Sequence, residues 1–146
     1  MIALVANASR DVADWLFAHT KIKRERDFKV LLRQFLHTRF PDYLHQETLV
    51  GQSNKPHKFE HLLHMPDGNR IIVDPVLHDP SSINARVVAN MDVRLAGHKN
   101  LEQRIVYDDL NDWTAEDLNL LQVGAPVVIP FSRATDALGR ISRAIQ

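Results

Sequence analysis

Glu60, Asp74 and Lys58 are the residues whose types and spacing could support a reaction together. Two carboxylates on adjacent strands can share a divalent ion through oxygen ligands, which Mg²⁺ and Mn²⁺ prefer. Such an ion polarises a phosphate group and activates water, and an ammonium group beside it assists. We therefore expect Glu60 and Asp74 to hold the ion, with Lys58 completing a catalytic site for phosphodiester hydrolysis.

The expected meeting of these side chains depends on a β-hairpin. Met65-Pro66-Asp67-Gly68-Asn69 has the proline and glycine of a tight turn, so residues 57–64 and 70–76 are expected to pair. If the two ends of the turn pair with each other, Glu60 lies opposite Asp74, with Cβ atoms about 5 Å apart. Lys58 then lies opposite Val76.

A register shifted by one residue would present a different set of side chains. His61 would then face Asp74, and His57 would face His78. Imidazole and carboxylate together favour zinc or a similar ion. The alternative metal site therefore consists of His57, His61, Asp74 and His78.

Charge is distributed unevenly, although 18 basic and 18 acidic residues cancel over the whole chain. A basic stretch precedes residue 40, and an acidic stretch follows residue 107. The basic residues are a solvated face or a surface for phosphate groups. The residues expected to contact nucleic acid or another partner are Lys23, Arg24, Arg26, Lys29, Arg33 and Arg94.

The order of predicted elements indicates a single α/β domain over residues 1–146. A helical part, residues 1–44, is expected to pack on an α/β core, residues 45–146. Ser9 is a candidate cap for a short first helix, and a stronger helical pattern follows it, unless the two run as one kinked unit. A hairpin-rich first half and later strand–helix–strand crossovers predict a mixed sheet with helices on both faces, in the manner of restriction endonucleases.

Composition limits the chemistry and suggests a compartment. The chain has no cysteine, which removes disulfides, thiolate nucleophiles and thiolate metal ligands. It has neither a signal-peptide pattern nor an apolar run of the roughly 20 residues that a membrane span needs. We expect a cytoplasmic protein without a membrane partner.

Several short motifs after residue 48 are shared with a known family. They are Gly51-Gln52-Ser53, His57-Lys58-Phe59-Glu60, Arg70-Ile71-Ile72, Pro80, Asp92-Val93-Arg94, Tyr107-Asp108-Asp109 and Phe131-Ser132-Arg133. On these motifs the chain resembles a bacterial family known as domain of unknown function eighteen twenty-nine. The family usually has aspartate at Glu60 and a lysine near Val73. The resemblance implies a shared fold, and it carries no activity to transfer.

The element order also resembles the PD-(D/E)XK nuclease fold. Such nucleases have one acid on the second strand and, on the third, a second acid followed two residues later by lysine. Glu60 and Asp74 match the acids, but Val76 stands at the lysine position, and Lys58 is the substitute from the neighbouring strand.

Two functions remain open from the sequence. One is a nuclease-like domain of uncertain catalytic competence, which hydrolyses phosphodiesters with Mg²⁺ or Mn²⁺ or binds nucleic acid. The other is a non-catalytic module that binds a protein in a bacterial or phage conflict system, such as toxin–antitoxin or anti-defence.

Overall fold

The computed structural model describes the backbone of residues 2–145 and the side chains of residues 12, 15, 16 and 23–141. The elements in chain order are α1 (Ile2–Arg39), β1 (Leu44–Val50), β2 (Pro56–His64), β3 (Arg70–Val76), α2 (Pro80–Leu95), β4 (Leu101–Tyr107), α3 (Ala115–Gly124), β5 (Val127–Pro130) and α4 (Ala134–Ile145). The chain divides into two compact units, one up to Leu31 and one from Leu32 onward. The division falls inside α1.

Helix α1 is a single helix of 38 residues. Ser9 lies inside it, so the helix start at Ser9 is wrong, and the alternative that the two segments run as one helical unit is confirmed. The physical reason is that residues 2–40 contain neither proline nor glycine, the two residues that interrupt helices most strongly. The helix ends just before Pro41, as the sequence predicted.

The second unit is built on one five-stranded sheet with the order β1-β2-β3-β4-β5. Strands β1, β2 and β3 form an antiparallel meander, whereas β3, β4 and β5 run parallel. Parallel neighbours require crossover connections, which α2 and α3 supply. The predicted α/β class with a mixed sheet is confirmed.

The hairpin between β2 and β3 has the register that its turn chemistry predicts. The paired residues are Leu62 with Ile72, Leu63 with Ile71, and His64 with Arg70. Gly68 has φ +90°, a left-handed conformation that glycine adopts without a steric penalty. The alternative register shifted by one residue is therefore wrong.

A β-bulge interrupts β2 in its middle. His45 of β1 pairs with Leu62, and Glu47 pairs with Phe59, so Glu60 and His61 both lie opposite the single residue Gln46. Side chains alternate along a strand, and one extra residue reverses that alternation beyond the bulge. As a result, Phe59 and Leu62 share one buried cluster although three positions separate them.

The core lies on both faces of the sheet. On one face, Ile72 and Val76 of β3 belong to buried clusters that include residues of α2 and α3. On the other face, Ala137 of α4 lines a depression together with Ile71 and Ile129. Helices on both faces match the predicted layers. Over the described residues, none of the helices combines the length and the apolar character that crossing a membrane requires.

Candidate functional site

Asp74 lies inside the fold and not at an open site. Its side chain is 5% exposed, and its Oδ2 accepts hydrogen bonds from Arg86 Nε at 2.7 Å and from Asn90 Nδ2 at 2.8 Å. Burial raises the pKa of the Asp74 carboxyl, while Arg86 and Asn90 act in the opposite direction and nearby Glu60 adds to the rise. Asp74 thus ties the centre of β3 to α2.

These contacts do not fit a divalent cation at Asp74. The Arg86 guanidinium already occupies the hydrogen-bonding position beside the carboxylate, and it would repel a second positive charge at that distance. Among the described residues, no group of three or more histidine, aspartate or glutamate side chains is arranged to hold a metal ion. We therefore derive no step through Mg²⁺ or Mn²⁺, and dependence on these ions stays a prediction.

Glu60 and Asp74 lie near enough for their charges to interact, but the two side chains differ in burial. Glu60 is exposed in the bulge, whereas Asp74 is buried against α2. Lys58 is exposed, and its backbone carbonyl accepts a 3.4 Å hydrogen bond from Arg86. The predicted register is confirmed for the pairs of Leu62, Leu63 and His64, and the extra residue in β2 places Glu60 and His61 together opposite Gln46. A catalytic site shared by Glu60, Asp74 and Lys58 stays a prediction.

The four residues of the alternative metal site are held in separate contacts. His57 Nε2 lies 2.8 Å from Asp92 Oδ2, and the His78 ring lies against Trp113 with centroids 4.7 Å apart. His61 is buried within the sheet at 4% exposure. The shifted register that would have brought them together is absent, so this set does not assemble.

Glu60 and His61 instead line a polar depression of about 410 Å³ with residues that the sequence reasoning did not connect to them. We call it the histidine depression. Its lining residues are Arg33, His37, Leu44, His45, Gln46, Glu60 and His61. The bulge builds one wall, since it turns Glu60 and His61 toward the same space.

Helix α1 provides the second wall. Arg33 and His37 are four residues apart and therefore lie on the same side of the helix. The buried residues Leu32 and Leu36, both 0% exposed, hold these turns in place while Arg33 and His37 remain exposed. The i, i+4 spacing was visible in the sequence, but its partners on β1 and β2 were not.

The third wall is the start of β1. His45 is exposed, and its ring contacts that of His64 edge-on with centroids 4.7 Å apart. His64 Nε2 lies 2.9 Å from Glu47 Oε1. The histidine depression therefore combines one permanent cation, three imidazoles and one carboxylate, and its guanidinium and ring N–H groups can donate hydrogen bonds to an anion.

The other predicted partner-binding residues do not line this depression. In the first unit, Lys23, Arg24 and Arg26 are exposed and Lys29 is half-buried on α1. Arg94 lies in the last turn of α2, where its Nη2 donates a 2.8 Å hydrogen bond to the carbonyl of Val123. Arg94 thus links α2 to the end of α3, a role that satisfies one of the carbonyls left without a partner at a helix C-terminus.

Two of the short motifs meet in a polar clamp around Asp92. Its carboxylate accepts hydrogen bonds from the backbone N–H and the hydroxyl of Ser53 at 2.9 and 2.6 Å, and it contacts His57. These partners, Ser53 first, lower the pKa of Asp92 to about 2. Gly51 allows this approach, because a Cβ there would lie 2.0 Å from Asp92 Oδ2. Ser53 bonds to Asp92 and not to His57, so the three residues do not have the order of a nucleophilic triad.

A second clamp joins the ends of two parallel strands. The backbone N–H and the hydroxyl of Ser132 both donate to the Asp109 carboxylate. The Ser132 hydrogen bonds lower the pKa of Asp109 against the opposing effect of burial. This contact joins the motifs that contain Asp109 and Ser132, so their proximity has a structural reason.

Comparisons with protein-family models, with curated proteins and with solved structures found no match. The resemblances to the bacterial family and to the PD-(D/E)XK fold therefore stay predictions.

Proposed function

We propose that this chain is a nucleic-acid-binding domain with a nuclease-like core, and that it binds backbone phosphate at the histidine depression without a catalytic metal. The observation that carries this proposal is the convergence of Arg33, His37, His45 and His61 on one polar depression. The topology of an antiparallel meander followed by a parallel crossover is compatible with the nuclease fold. A cytoplasmic location is part of the same proposal.

Arg33 is the proposed anchor for phosphate. Its guanidinium is permanently charged, and its planar array of N–H groups fits two oxygens of a phosphate. His37 and His45 can donate ring N–H groups to the remaining oxygens. Glu60 also lines the depression, and its negative charge weakens phosphate binding there.

The contacts of Asp74 are the reason that the proposal includes no catalytic metal. A nuclease of this kind needs a carboxylate on the third strand that is free to bind the ion. Here Asp74 Oδ2 is held by Arg86 and Asn90, and the side chain is almost fully buried. The function proposed is therefore binding without hydrolysis.

Fluorescence anisotropy with labelled single-stranded DNA, single-stranded RNA and duplex DNA of one sequence tests the proposal. Affinity should fall with salt between about 50 and 200 mM, because binding to phosphates releases counterions. Arg33→Ala should weaken binding to every sequence alike and reduce the slope of log K against log salt by about 1. Arg133→Ala is the matched control, since Arg133 is also exposed but lies outside the depression.

Three results would contradict the proposal. The first is no binding at low salt to any of the three probes. The second is an equal effect of Arg33→Ala and Arg133→Ala. The third is cleavage of a probe upon addition of Mg²⁺ or Mn²⁺ that disappears in Glu60→Ala, which would restore the catalytic function.

A protein partner is the second candidate function. Val12, Trp15 and Leu16 of the first unit are 56%, 62% and 51% exposed. Their i, i+3, i+4 spacing places them on one side of α1, the pattern by which an amphipathic helix engages another protein. Recovery of one stoichiometric protein by the intact chain, lost in Trp15→Ala and retained in Arg33→Ala, would favour this function over nucleic-acid binding.

A further inference from the structure

A depression separate from the histidine depression lies on the face of the sheet opposite α2. It has a volume of about 490 Å³, and its walls come from β3, β4, β5 and α4. Arg104 of β4 forms part of its base. The neighbouring residue Gln103 bonds to Asn90 of α2 at 2.8 Å, so strand alternation directs Arg104 to the opposite side.

The guanidinium of Arg104 is only partly satisfied. Its Nη2 donates a 3.1 Å hydrogen bond to Glu102 Oε2, and its side chain is 18% exposed. Its Nη1 is buried and has no hydrogen-bond partner within the described part of the chain. Burial lowers the pKa of Arg104, and Glu102 opposes this effect. A buried donor without a partner is rare and costly, which calls for an explanation.

An anionic ligand supplies the missing partner. Arginine presents parallel N–H groups that match the two oxygens of a carboxylate. Glu102 accepts from only one of these groups and is 56% exposed. Its carboxylate can therefore move into solvent with a small loss of free energy. A ligand carboxylate in its place, with a small rotation of the guanidinium, would accept from both Nη1 and Nη2.

The other lining residues indicate the chemistry of the rest of the ligand. Ile71, Ile129, Ala137 and Ile141 provide apolar surface, and Arg140 adds a second cation. The other acid, Asp67, already accepts two hydrogen bonds from Asn69 at 2.9 Å. The volume is within the range of roughly 300–1,000 Å³ typical of small-molecule sites.

We propose that this depression binds a small organic carboxylate with an apolar chain, anchored by Arg104. The apolar walls favour such a ligand over inorganic phosphate or a sugar–phosphate backbone. This site is separate from the histidine depression and shares no lining residue with it. The inference therefore does not depend on nucleic-acid binding.

Calorimetric titration of the full chain with butyrate, hexanoate and octanoate tests the inference. Each added CH₂ that reaches the apolar wall should tighten binding by about fourfold. Hexanol and inorganic phosphate are the probes for the apolar and the anionic part alone, and each should bind at least tenfold more weakly than hexanoate. Arg104→Met should weaken hexanoate binding at least tenfold, whereas Arg94→Met, an exposed arginine of α2, should leave it unchanged.

Glu102→Gln keeps the inference testable even if Arg104→Met fails to fold. Glu102 is largely exposed, and its neutral replacement competes less for Arg104, so hexanoate should bind a few times more tightly. The inference is overturned if hexanoate does not bind, if phosphate binds equally well, if chain length has no effect, or if Glu102→Gln weakens binding.

Discussion

Replacing Arg86 with methionine should destabilise the protein by about 3 kcal/mol at neutral pH. Removing one partner of a buried ion pair typically costs about 3–5 kcal/mol, because the other charge stays buried without compensation. The lower end applies here, since 26% of the Arg86 side chain is exposed while Asp74 is only 5% exposed. Methionine keeps most of the apolar stem, so the change reports chiefly on the charge. The cation–π contact to the Phe59 ring, 5.0 Å away, is lost as well.

The loss of stability caused by Arg86→Met should depend on pH in a defined direction. Burial raises the pKa of Asp74 above 3.8, so the native protein holds a proton that the unfolded chain releases. Stability therefore falls as pH rises from 3.8 through the raised pKa. Without Arg86 the pKa of Asp74 rises further, so the decrease in stability continues to higher pH. The difference between wild type and Arg86→Met should be small at pH 3.8, where protonated Asp74 needs no cation, and largest near neutrality.

Urea unfolding followed by far-UV circular dichroism, repeated between about pH 4 and pH 8, measures this difference. Arg94→Met is the control, since it makes the same substitution on the same helix and removes only the hydrogen bond to the carbonyl of Val123. Arg94→Met should lower the free energy of unfolding by about 1 kcal/mol or less at every pH. A loss below 1 kcal/mol for Arg86→Met, or one that does not vary with pH, would refute the structural role assigned to the Asp74–Arg86 pair.

Three further substitutions test the local geometry. Gly51→Ala should destabilise by about 1–3 kcal/mol in urea unfolding, because the new Cβ would lie 2.0 Å from Asp92 Oδ2. Gly139→Ala is its control, since no atom lies within 4 Å of the new Cβ, and it should stabilise α4 by about 0.5–1 kcal/mol. Wild type is expected to lose stability in thermal unfolding as pH falls from 3.8 toward about 2, and Asp92→Asn should remove this loss. Identical acid profiles of the two proteins would contradict this. Asp79→Ala should cost about 1 kcal/mol in urea, because its side chain caps α2; an unchanged midpoint would rule out that role.

Features determined by local chemistry were predictable from the sequence. The turn before Arg70 contains a glycine that accepts a left-handed conformation, and it set the hairpin register correctly. Helix α2 begins at Pro80 behind Asp79, and α3 begins behind Thr114, each with the capping hydrogen bond that such residues make. These signals act over three or four residues, so the sequence alone contains them.

The candidate site was predicted only in part, because it depends on contacts between distant segments. Arg33, Glu60 and His61 were each singled out from the sequence, but for three different roles. Their common depression requires the bulge, which the hairpin pattern does not reveal. Asp74 was expected at a catalytic site because the hairpin places it opposite Glu60. Its contact with Arg86, which lies twelve positions away on another element, was not predictable. No spacing rule connects a strand residue to a helix residue at that distance.

The bulge in β2 also determines to which face of the sheet each earlier side chain of the strand points. Deleting either Glu60 or His61 would restore strict alternation and invert residues 56–59 as a block, moving Phe59 out of the core and Lys58 into it. No single substitution in this segment produces the same inversion. A homologous chain without the extra residue would therefore show the opposite hydrophobic pattern over these positions, and its correct superposition on this chain would require a one-residue gap there.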